Sequence, residues 1–462
     1  MLCGGESSAA VLWAFATDKK RLLPKRKVII MQALLSLSIA LFAGLMLSRL
    51  AKLVKLPAVT AYLVAGILIG PFVLGQLGVG GLGFTSMADV KQYSILADVA
   101  LGFIAFSIGN EFRLGQLKQT GRQATIIGIV QAVAATLLVD AALIGFHFLM
   151  HDKLPLPSAI ILGAIASATA PAATLMVVRQ YKAKGPLTDI LLPIVALDDA
   201  VGLILFAISF GVAKALIAGP VNILSVVLEP LLEVILSLAL GFVMGMLITF
   251  FERFFHSRSK RLAMSVTFVL MTVGLSMMEF TVFGIHVAFS SLLVCMMLGT
   301  VFCNACDFSE ELMDRIDRWT APLFVLFFVI SGAELELSVF GDWAIVLVGI
   351  IYILARSLGK YSGARFSAKV AGCDENIVKY LGITLLPQAG VALGMALKAS
   401  ALGEIGQIVA NITLFSVLVY ELVGPLLTKI ALTHAGEIVP EGKVSAREEA
   451  KAKLAQAKTE NK

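Results

Sequence analysis

The stretch VALDDAVGLILF, residues 195–206, places two adjacent aspartates, Asp198 and Asp199, inside an otherwise apolar run. If this run crosses a lipid bilayer, each carboxylate costs about 2.5–3.5 kcal/mol at the bilayer centre. Ionisable residues in membrane helices usually pair with one another or mark an ion or proton pathway. The two aspartates are therefore the first candidate functional site, and the rest of the chain shows whether this run is a membrane helix.

The composition indicates a polytopic membrane protein. Of the 462 residues, 58% are hydrophobic and only 15% are charged, and the mean hydropathy is +0.92. Soluble domains are about 45–50% apolar and about 25% charged. Hydropathy predicts an all-α fold with about thirteen transmembrane spans. The predicted spans are 32–50, 57–75, 92–109, 124–149, 156–178, 187–213, 223–251, 262–279, 284–302, 319–333, 342–364, 377–397 and 405–432.

The basic residues of the short loops predict the orientation of the chain. One alternating set of loops carries sixteen Lys and Arg residues, and the other set carries four. Because basic loops stay on the cytoplasmic side of a membrane, the first set is expected to be cytoplasmic. With thirteen spans, the N-terminus then lies outside and the C-terminus lies in the cytoplasm. We expect the protein in the cell membrane, that is, the inner or plasma membrane.

Composition also divides the chain into three segments. The first is strongly basic at residues 19–27 (KKRLLPKRK) and is expected to precede the native start at Met31. The last is rich in alanine and lysine and too short for a nucleotide-binding domain, so neither nucleotide nor nucleic acid is expected as a partner. The predicted segments are 1–30 as an N-terminal extension, 31–432 as the transmembrane domain with core helices near 92–213 and 319–432, and 433–462 as a charged cytoplasmic tail.

Short motifs recur at a nearly constant offset, which indicates an internal repeat. Residues 107–114 (SIGNEFRL) align with residues 330–337 (ISGAELEL) at an offset of 223. Asp199-Ala-Val-Gly202 similarly resembles Glu421-Leu-Val-Gly424. The partners lie seven spans apart, an odd number, so the two units must have opposite orientations in the membrane. Inverted repeats recur in secondary transporters, whose ion sites lie near the bilayer midplane.

Two spans at matching places carry a proline. Pro171 lies in span five and Pro387 in span twelve. Proline lacks a backbone donor and clashes with the preceding turn, so each helix is expected to break there. A broken helix is tolerated at membrane depth only where protein buries it or water reaches it. Each break also presents the partial charges of two half-helix ends, and such ends bind ions in transporters.

Two basic residues, Arg356 and Lys360, lie one turn apart in span eleven and are the candidate partners of the aspartates. Successive helix residues point about 100° apart, so Asp198 and Asp199 cannot both face one partner. One aspartate can pair with a base while the other faces a cavity, where a cation or a proton must bind it. The residues alone leave open which aspartate is paired and with which base.

Four motifs follow one another along the chain: SATAPAAT (167–174), ALDDAVG (196–202), FFVISGAELEL (327–337) and RSLGK (356–360). Together they resemble the sodium/proton antiporters of the monovalent cation:proton antiporter-2 family, over roughly residues 31–432. The resemblance implies a homodimer, two crossed broken helices and an elevator-like movement of a core. It also implies that Asp199 holds the transported Na⁺, that Asp198 pairs with Lys360, and that members with such a pair are electrogenic. A Thr169 oxygen is implied at the same site.

Two features depart from the family pattern. Span twelve reads PQAGV from Pro387 onward, where some relatives carry an arginine and an acid, so no role of that pair can be transferred. Glu421 in span thirteen is an additional acid that either joins the ion path or caps a neighbour. Arg356 remains a second, weaker candidate for the base that pairs with Asp198.

The expected function is secondary active Na⁺/H⁺ antiport by alternating access at a buried aspartate, with no enzymatic activity. No cofactor is expected beyond the transported ions, which are H⁺ and Na⁺, K⁺ or Li⁺. Cys303 and Cys306 have CxxC spacing, but no second Cys or His pair completes a metal site. K⁺/H⁺ antiport, an intramembrane aspartyl protease and a non-transporting sensor are the alternatives. The protease is disfavoured because its two carboxylates must share a proton across a cleft.

Overall fold

The computed structural model describes part of the chain. The described stretches are 31–53, 56–79, 83–110, 112–150, 153–218, 223–278, 280–282, 285–306, 308–335, 341–400 and 402–438. Residues 1–30 and 439–462, which hold the predicted N-terminal extension and most of the predicted tail, lie outside them. The predicted limits of the three segments therefore stay predictions.

The described residues form a largely helical protein. Eight helices are long and apolar enough to cross a membrane, and shorter apolar helices accompany them. Each of the thirteen predicted spans contains a helix or a broken pair of helices, so the prediction of an all-α polytopic fold is confirmed. The helices are α1 (Met31–Leu53), α2 (Ala58–Ile69), α3 (Met87–Lys91), α4 (Ser94–Gly109), α5 (Leu114–Leu149), α6 (Leu156–Ile165), α7 (Pro171–Tyr181), α8 (Pro186–Ala218), α9 (Ile223–Glu252), α10 (Arg258–Ser276), α11 (Ser291–Ala305), α12 (Ser309–Glu334), α13 (Trp343–Val370), α14 (Glu375–Thr384), α15 (Gly390–Ser400) and α16 (Glu404–His434).

Helix α12 is longer than the sequence predicts. It begins at Ser309, whereas span ten was predicted to begin at residue 319. The added turns are charged and therefore escape a hydropathy window, but Arg315 pairs with Glu311 one turn earlier at 3.1 Å. Pairs at this spacing support a helix on an exposed face. The helix therefore extends beyond its apolar part.

A short antiparallel hairpin connects α10 to α11. Its strands are β1 (Phe280–Val282) and β2 (Ile285–Val287). Span nine was predicted to start at residue 284, but α11 starts at Ser291. Its N-cap is Ser290, whose side chain accepts a hydrogen bond from the Leu293 amide at 3.5 Å. Hydropathy did not separate strand from helix in this apolar stretch, whose β-branched and aromatic residues favour a strand.

The helices pack as two bundles. The first contains α1, α2, α4 and α9–α12, and the second contains α5–α8 and α13–α16. Between the bundles, α7 touches α2 and α4, α16 touches α2, and α8 touches α9. The predicted core ranges 92–213 and 319–432 also include α4 and α12, but these two helices pack mainly on α11 and α2 in the first bundle. Order along the chain therefore does not determine which bundle a helix joins.

Close helix crossings follow the inverted repeat. A Cβ on Gly109 of α4 would lie 1.9 Å from the Met296 carbonyl oxygen of α11, and one on Gly332 of α12 would lie 2.2 Å from the Leu63 carbonyl oxygen of α2. Only glycine permits such an approach of two backbones. The pairs α4/α12 and α11/α2 correspond under the seven-span shift, so the aligned glycines occupy equivalent crossings. Glu111 of the same motif lies outside the described residues.

The two predicted broken helices are present and cross each other. Span five consists of α6 and α7, with Pro171 as the first residue of α7, where its missing amide hydrogen breaks no helical bond. Span twelve consists of α14 and α15, and Pro387 lies in the break between them. The two breaks touch, since the Ala170 amide donates a hydrogen bond to the Pro387 carbonyl oxygen at 2.8 Å. Four half-helix ends therefore meet inside the second bundle.

Candidate functional site

Helix α8 carries both aspartates, and its N-terminus is capped from the other end of the chain. One oxygen of Glu437, which follows α16, accepts from the Leu187 amide at 2.6 Å. The other accepts from the Thr188 amide at 2.8 Å and from the Thr188 hydroxyl at 2.6 Å. The first amides of a helix have no partner within the helix, so an acceptor here stabilises it. The beginning of the predicted tail thus supports the site helix.

Asp198 is fully occupied by partners. Lys360 Nζ lies 2.9 Å from its Oδ2, and both side chains are fully buried. The Thr169 hydroxyl also donates to Oδ2, at 2.5 Å. Gln131 of α5 donates to Oδ1 through its Nε2. The Asp198 carboxylate is therefore held by one charge and two hydrogen bonds, and the structure brings Asp198, Lys360 and Thr169 together as the resemblance implies.

Asp199 is the opposite case. It is 1% exposed, and within the described part of the chain neither of its carboxylate oxygens has a hydrogen-bond partner. The turn of about 100° between successive residues directs it away from the lysine that holds Asp198. A buried ionised carboxylate without a partner is strongly unfavourable. A proton or a bound cation at Asp199 would remove that cost.

Arg356 does not pair with Asp198 but binds the two helix breaks. Its Nε donates to the Ala166 carbonyl at 2.9 Å and its Nη2 to the Ala168 carbonyl at 2.6 Å, both after α6. Its Nη1 donates to the Leu386 carbonyl, after α14, at 2.7 Å. The planar guanidinium also lies 4.5 Å from the ring centre of Tyr420. The weaker candidate partner of Asp198 thus holds the crossing together.

The two basic residues of α13 explain the electrostatics of the crossing. Helices α6 and α14 both end here, and a helix C-terminus carries a partial negative charge from unpaired carbonyls. Lys360 adds a bond to the Ser167 carbonyl at 2.5 Å. Arg356 and Lys360 therefore stabilise both C-terminal ends, and Lys360 also neutralises Asp198. One turn of α13 therefore carries both the arginine that holds the two helix ends and the lysine that balances the charge of Asp198.

Two buried amides at the site were not identified from the sequence. Gln131 binds Asp198, as described above. Gln388 follows Pro387 in the second break, and its Nε2 donates to the Ile165 carbonyl and the Tyr352 hydroxyl, each at 2.9 Å. Both are fully buried. In the sequence, each is an amide side chain within an apolar span. An amide buried without a hydrogen-bond partner is as costly as other unpaired polar groups, so such a residue indicates that a partner is present.

Glu421 lies on α16 and, among the described residues, forms no ion pair with Lys360 or Arg356. It is 6% exposed, and its Oε2 has no hydrogen-bond partner among the described residues. Glu421 is therefore neither paired with a base nor part of the Asp198 cluster.

The described residues contain no group of three or more His, Cys, Asp or Glu that could hold a metal ion. A cation bound at Asp199 would be the transported substrate.

Replacing Lys360 by methionine is expected to destabilise the protein by about 3–5 kcal/mol, because Asp198 would be left as an uncompensated buried charge. The double variant Lys360→Met/Asp198→Asn removes that charge and should recover most of the loss. The measurement is thermal unfolding of the purified protein in detergent. A double variant as unstable as the single variant would contradict this account of the pair.

The chain is similar to known proteins over most of its length. The family described as "Sodium/hydrogen exchanger, transmembrane" matches residues 37–434. The chain is 22% identical over 392 residues to the K(+)/H(+) antiporter subunit KhtU of Bacillus subtilis. This alignment covers 83% of this chain and 89% of KhtU. It is 23% identical over 412 residues to the Na(+)/H(+) antiporter NhaS4 of Synechocystis. This alignment covers 87% of this chain and 97% of NhaS4.

Solved structures share the fold. The sodium proton antiporter MjNhaP1 from Methanocaldococcus jannaschii matches with a TM-score of 0.64 at 19% identity, over 89% of this chain and 100% of that chain. A second structure of MjNhaP1, from electron microscopy, matches with a TM-score of 0.68 at 18% identity, over 89% of this chain and 99% of that one. The fold, the crossed broken helices and the family match agree with the resemblance in the motifs. The chain belongs to the sodium/hydrogen exchanger family.

Proposed function

We propose that this protein is a secondary active antiporter that exchanges Na⁺ for protons by alternating access at Asp199. The observation that carries the proposal is the contrast between two adjacent buried carboxylates. Asp198 has Lys360 and two hydrogen bonds, whereas neither oxygen of Asp199 has a partner in the described residues. Only the second carboxylate is free to bind and release an ion.

The exchange follows from competition for Asp199. A proton or a dehydrated Na⁺ neutralises this carboxylate, but the two cannot bind together. An empty, charged site is the form that is most costly to keep away from water. The neutral, occupied forms therefore cross between the two openings far more readily than the empty form. Each cycle then carries Na⁺ one way and protons the other.

The two helix breaks define where the second bundle can rearrange. Arg356 binds both C-terminal half-helix ends, and α7 and α15 start at the same crossing. The crossing thus forms a unit with the Asp198–Lys360 pair. We propose that this unit moves against the first bundle, as in the elevator-like movement expected from the resemblance. In the described residues the bundles meet through α7, α8 and α16 and through an ion pair between Lys398 of α15 and Glu233 of α9 at 3.4 Å, and the rest of the close packing lies within each bundle, which supports such a movement.

K⁺/H⁺ antiport is the second candidate function. The two curated relatives named above differ in their cation, since one is named as a K(+)/H(+) antiporter subunit and the other as a Na(+)/H(+) antiporter. The carboxylate of Asp199 supplies hard oxygen ligands, which suit either alkali cation. An aspartyl protease is disfavoured because Lys360 holds Asp198, so Asp198 and Asp199 are not a pair of carboxylates that share one proton.

The remaining parts of the proposal concern the cellular context. We place the protein in the inner or plasma membrane with its N-terminus outside and its C-terminus in the cytoplasm, on the basis of the loop charges. A homodimer is proposed from the family resemblance. Light scattering of the purified protein in detergent measures its oligomeric state.

Purified protein in liposomes tests the function. Adding Na⁺ to proteoliposomes with an imposed pH gradient should dissipate the gradient, as reported by a pH-sensitive dye. Parallel additions of Li⁺ and K⁺ determine the selectivity, and a response to K⁺ alone would establish the second candidate. A voltage-sensitive dye measures whether turnover moves net charge: exchange of one proton for one Na⁺ at Asp199 alone is electroneutral, so the electrogenic exchange implied by the resemblance requires a second group that carries a proton. No proton movement with any of the three cations, relative to empty liposomes, would refute antiport and leave a non-transporting sensor.

A further inference from the structure

Two ion pairs join the second bundle to the first, one toward each face of the membrane. Arg179 Nη1 of α7 lies 2.6 Å from Asp317 Oδ1 of α12, and Lys398 Nζ of α15 lies 3.4 Å from Glu233 Oε2 of α9. In the proposed orientation the first pair, called the cytoplasmic pair, lies beside the basic loops, and the second, called the outer pair, lies toward the outside. In each pair the base belongs to the second bundle and the acid belongs to the first.

The two bases occupy equivalent positions of the internal repeat. Helices α7 and α15 each have 11 residues, and each follows one of the two helix breaks. Arg179 and Lys398 are both the ninth residue of their helix. Spans five and twelve have opposite orientations, so α7 and α15 lead from the crossing toward opposite faces. The repeat therefore places one base that reaches the first bundle at each face.

The cytoplasmic pair is closely held. The side chains of Arg179 and Asp317 are 22% and 34% exposed. Ser107 of α4 also donates a hydrogen bond to Asp317 Oδ1, at 3.4 Å, so the acid is bound within the first bundle. The residue after Arg179, Gln180, accepts a hydrogen bond from the Ala58 amide of α2 at 2.8 Å. The end of α7 is therefore bound to two helices of the first bundle.

The outer pair is held less closely. The Lys398 side chain is 57% exposed and that of Glu233 is 14% exposed, and their charged atoms lie farther apart than those of the cytoplasmic pair. Water weakens an ion pair with an exposed base, and ordering a long lysine side chain costs entropy. The outer pair therefore resists separation of the bundles less than the cytoplasmic pair does.

Both bases lie on the unit that moves against the first bundle in the proposed antiport cycle. Opening a face to water separates the bundles there and breaks the ion pair of that face. We propose that the two pairs are latches, each of which resists opening of its own face, and that their unequal strengths favour the conformation with a closed cytoplasmic face. This inference rests on the proposed antiport function and names the contacts that set its preference for one face.

The test is the KM for Na⁺ at each face in Asp317→Asn and Glu233→Gln, which remove a charge and keep the size of the side chain. Everted vesicles expose the cytoplasmic face to added Na⁺, and right-side-out vesicles expose the outer face. The apparent affinity at a face rises with the fraction of the protein that is open to that face. Asp317→Asn should therefore lower the cytoplasmic-face KM by about fivefold without lowering the outer-face KM. Glu233→Gln should lower the outer-face KM by about twofold without lowering the cytoplasmic-face KM.

Two matched variants control for the loss of a charge. Asp314→Asn lies one turn from Asp317 on an exposed face of α12, where Asp314 pairs with Arg318 of the same helix at 3.3 Å. Glu404→Gln lies at an exposed position at the start of α16, toward the outside. Neither removes a bond between the bundles, so both should leave the two KM values unchanged. If Asp317→Asn fails to fold, Glu233→Gln at the more exposed pair gives the test by itself.

Hydrogen–deuterium exchange in detergent measures the same opening without transport. Asp317→Asn should speed exchange of the backbone amides at the end of α7 and the start of α2, and Glu233→Gln should speed exchange in α15 instead. Unchanged KM values and exchange rates, KM changes of the same sign at both faces, or a higher KM at the face whose pair is removed would overturn the inference. Failure of antiport is distinguishable, because the wild-type protein would then move no ions in either type of vesicle while the amide measurement still tests the latches.

Discussion

Asp199→Asn is expected to abolish cation–proton exchange, with a residual rate at least about 100-fold below that of the wild type. Asparagine nearly matches the size of aspartate but carries no charge, so it can neither release a proton near neutral pH nor attract a cation. Exchange is measured in proteoliposomes as Na⁺-dependent dissipation of a pH gradient. The variant should fold, because neither oxygen of Asp199 makes a hydrogen bond with the described residues.

Asp189→Asn provides the control for Asp199→Asn. Asp189 lies in the first turn of the same helix, and its side chain is exposed. Its neutralisation changes the net charge equally but lies away from the helix crossing, so exchange should be retained. Unfolding measurements on both variants separate loss of transport from loss of structure. Wild-type exchange by Asp199→Asn would refute the assignment of the ion site.

Arg356→Ala is expected to have the largest effect on stability. The substitution leaves three carbonyls without donors, those of Ala166, Ala168 and Leu386. Each buried acceptor that loses its partner costs about 1–3 kcal/mol, and the cavity left by a fully buried arginine adds to this. We expect a loss larger than the one predicted for Lys360→Met, because three acceptors and a cavity contribute together; it is measured by thermal or denaturant unfolding in detergent.

Arg356→Lys distinguishes the role of geometry from that of charge. Lysine retains the positive charge near the helix ends but cannot reach three carbonyls in different directions as a planar guanidinium does. The stability of the Arg356→Lys variant should lie between those of the wild type and Arg356→Ala. If Arg356→Ala were as stable as the wild type, the three bonds would not hold the crossing. If both substitutions were equally destabilising, charge at the helix ends would contribute little.

Much of the architecture was accessible from the sequence because membrane helices carry strong signals. Hydropathy located all thirteen spans, and Pro171 and Pro387 located the two breaks. These signals are local, since a span must be apolar along its length and a proline disrupts its own turn. The limits of α12 and α11 were missed for the same reason: charged helical turns and a short apolar hairpin do not follow the rule for a span.

Only part of the candidate site could be predicted from the sequence. The adjacent acids in one apolar run were visible at once, and their divergence followed from helical geometry. The sequence could not show which base binds Asp198, since Arg356 and Lys360 lie one turn apart on the same helix. Gln131 and Gln388 were not identified, because a single amide in an apolar span does not reveal its partner.

By itself, the sequence determined that the chain crosses the membrane many times, that two of its helices break, and that two acids lie within the bilayer. Each of these depends on the cost of placing particular groups in lipid, which is a property of residues and their neighbours along the chain. Only the tertiary structure decided that Lys360 binds Asp198, that Arg356 binds the helix breaks, and that Asp199 has no hydrogen-bond partner in the part of the chain that is described. Those outcomes depend on distances of a few ångströms between helices far apart in the chain, which packing alone determines.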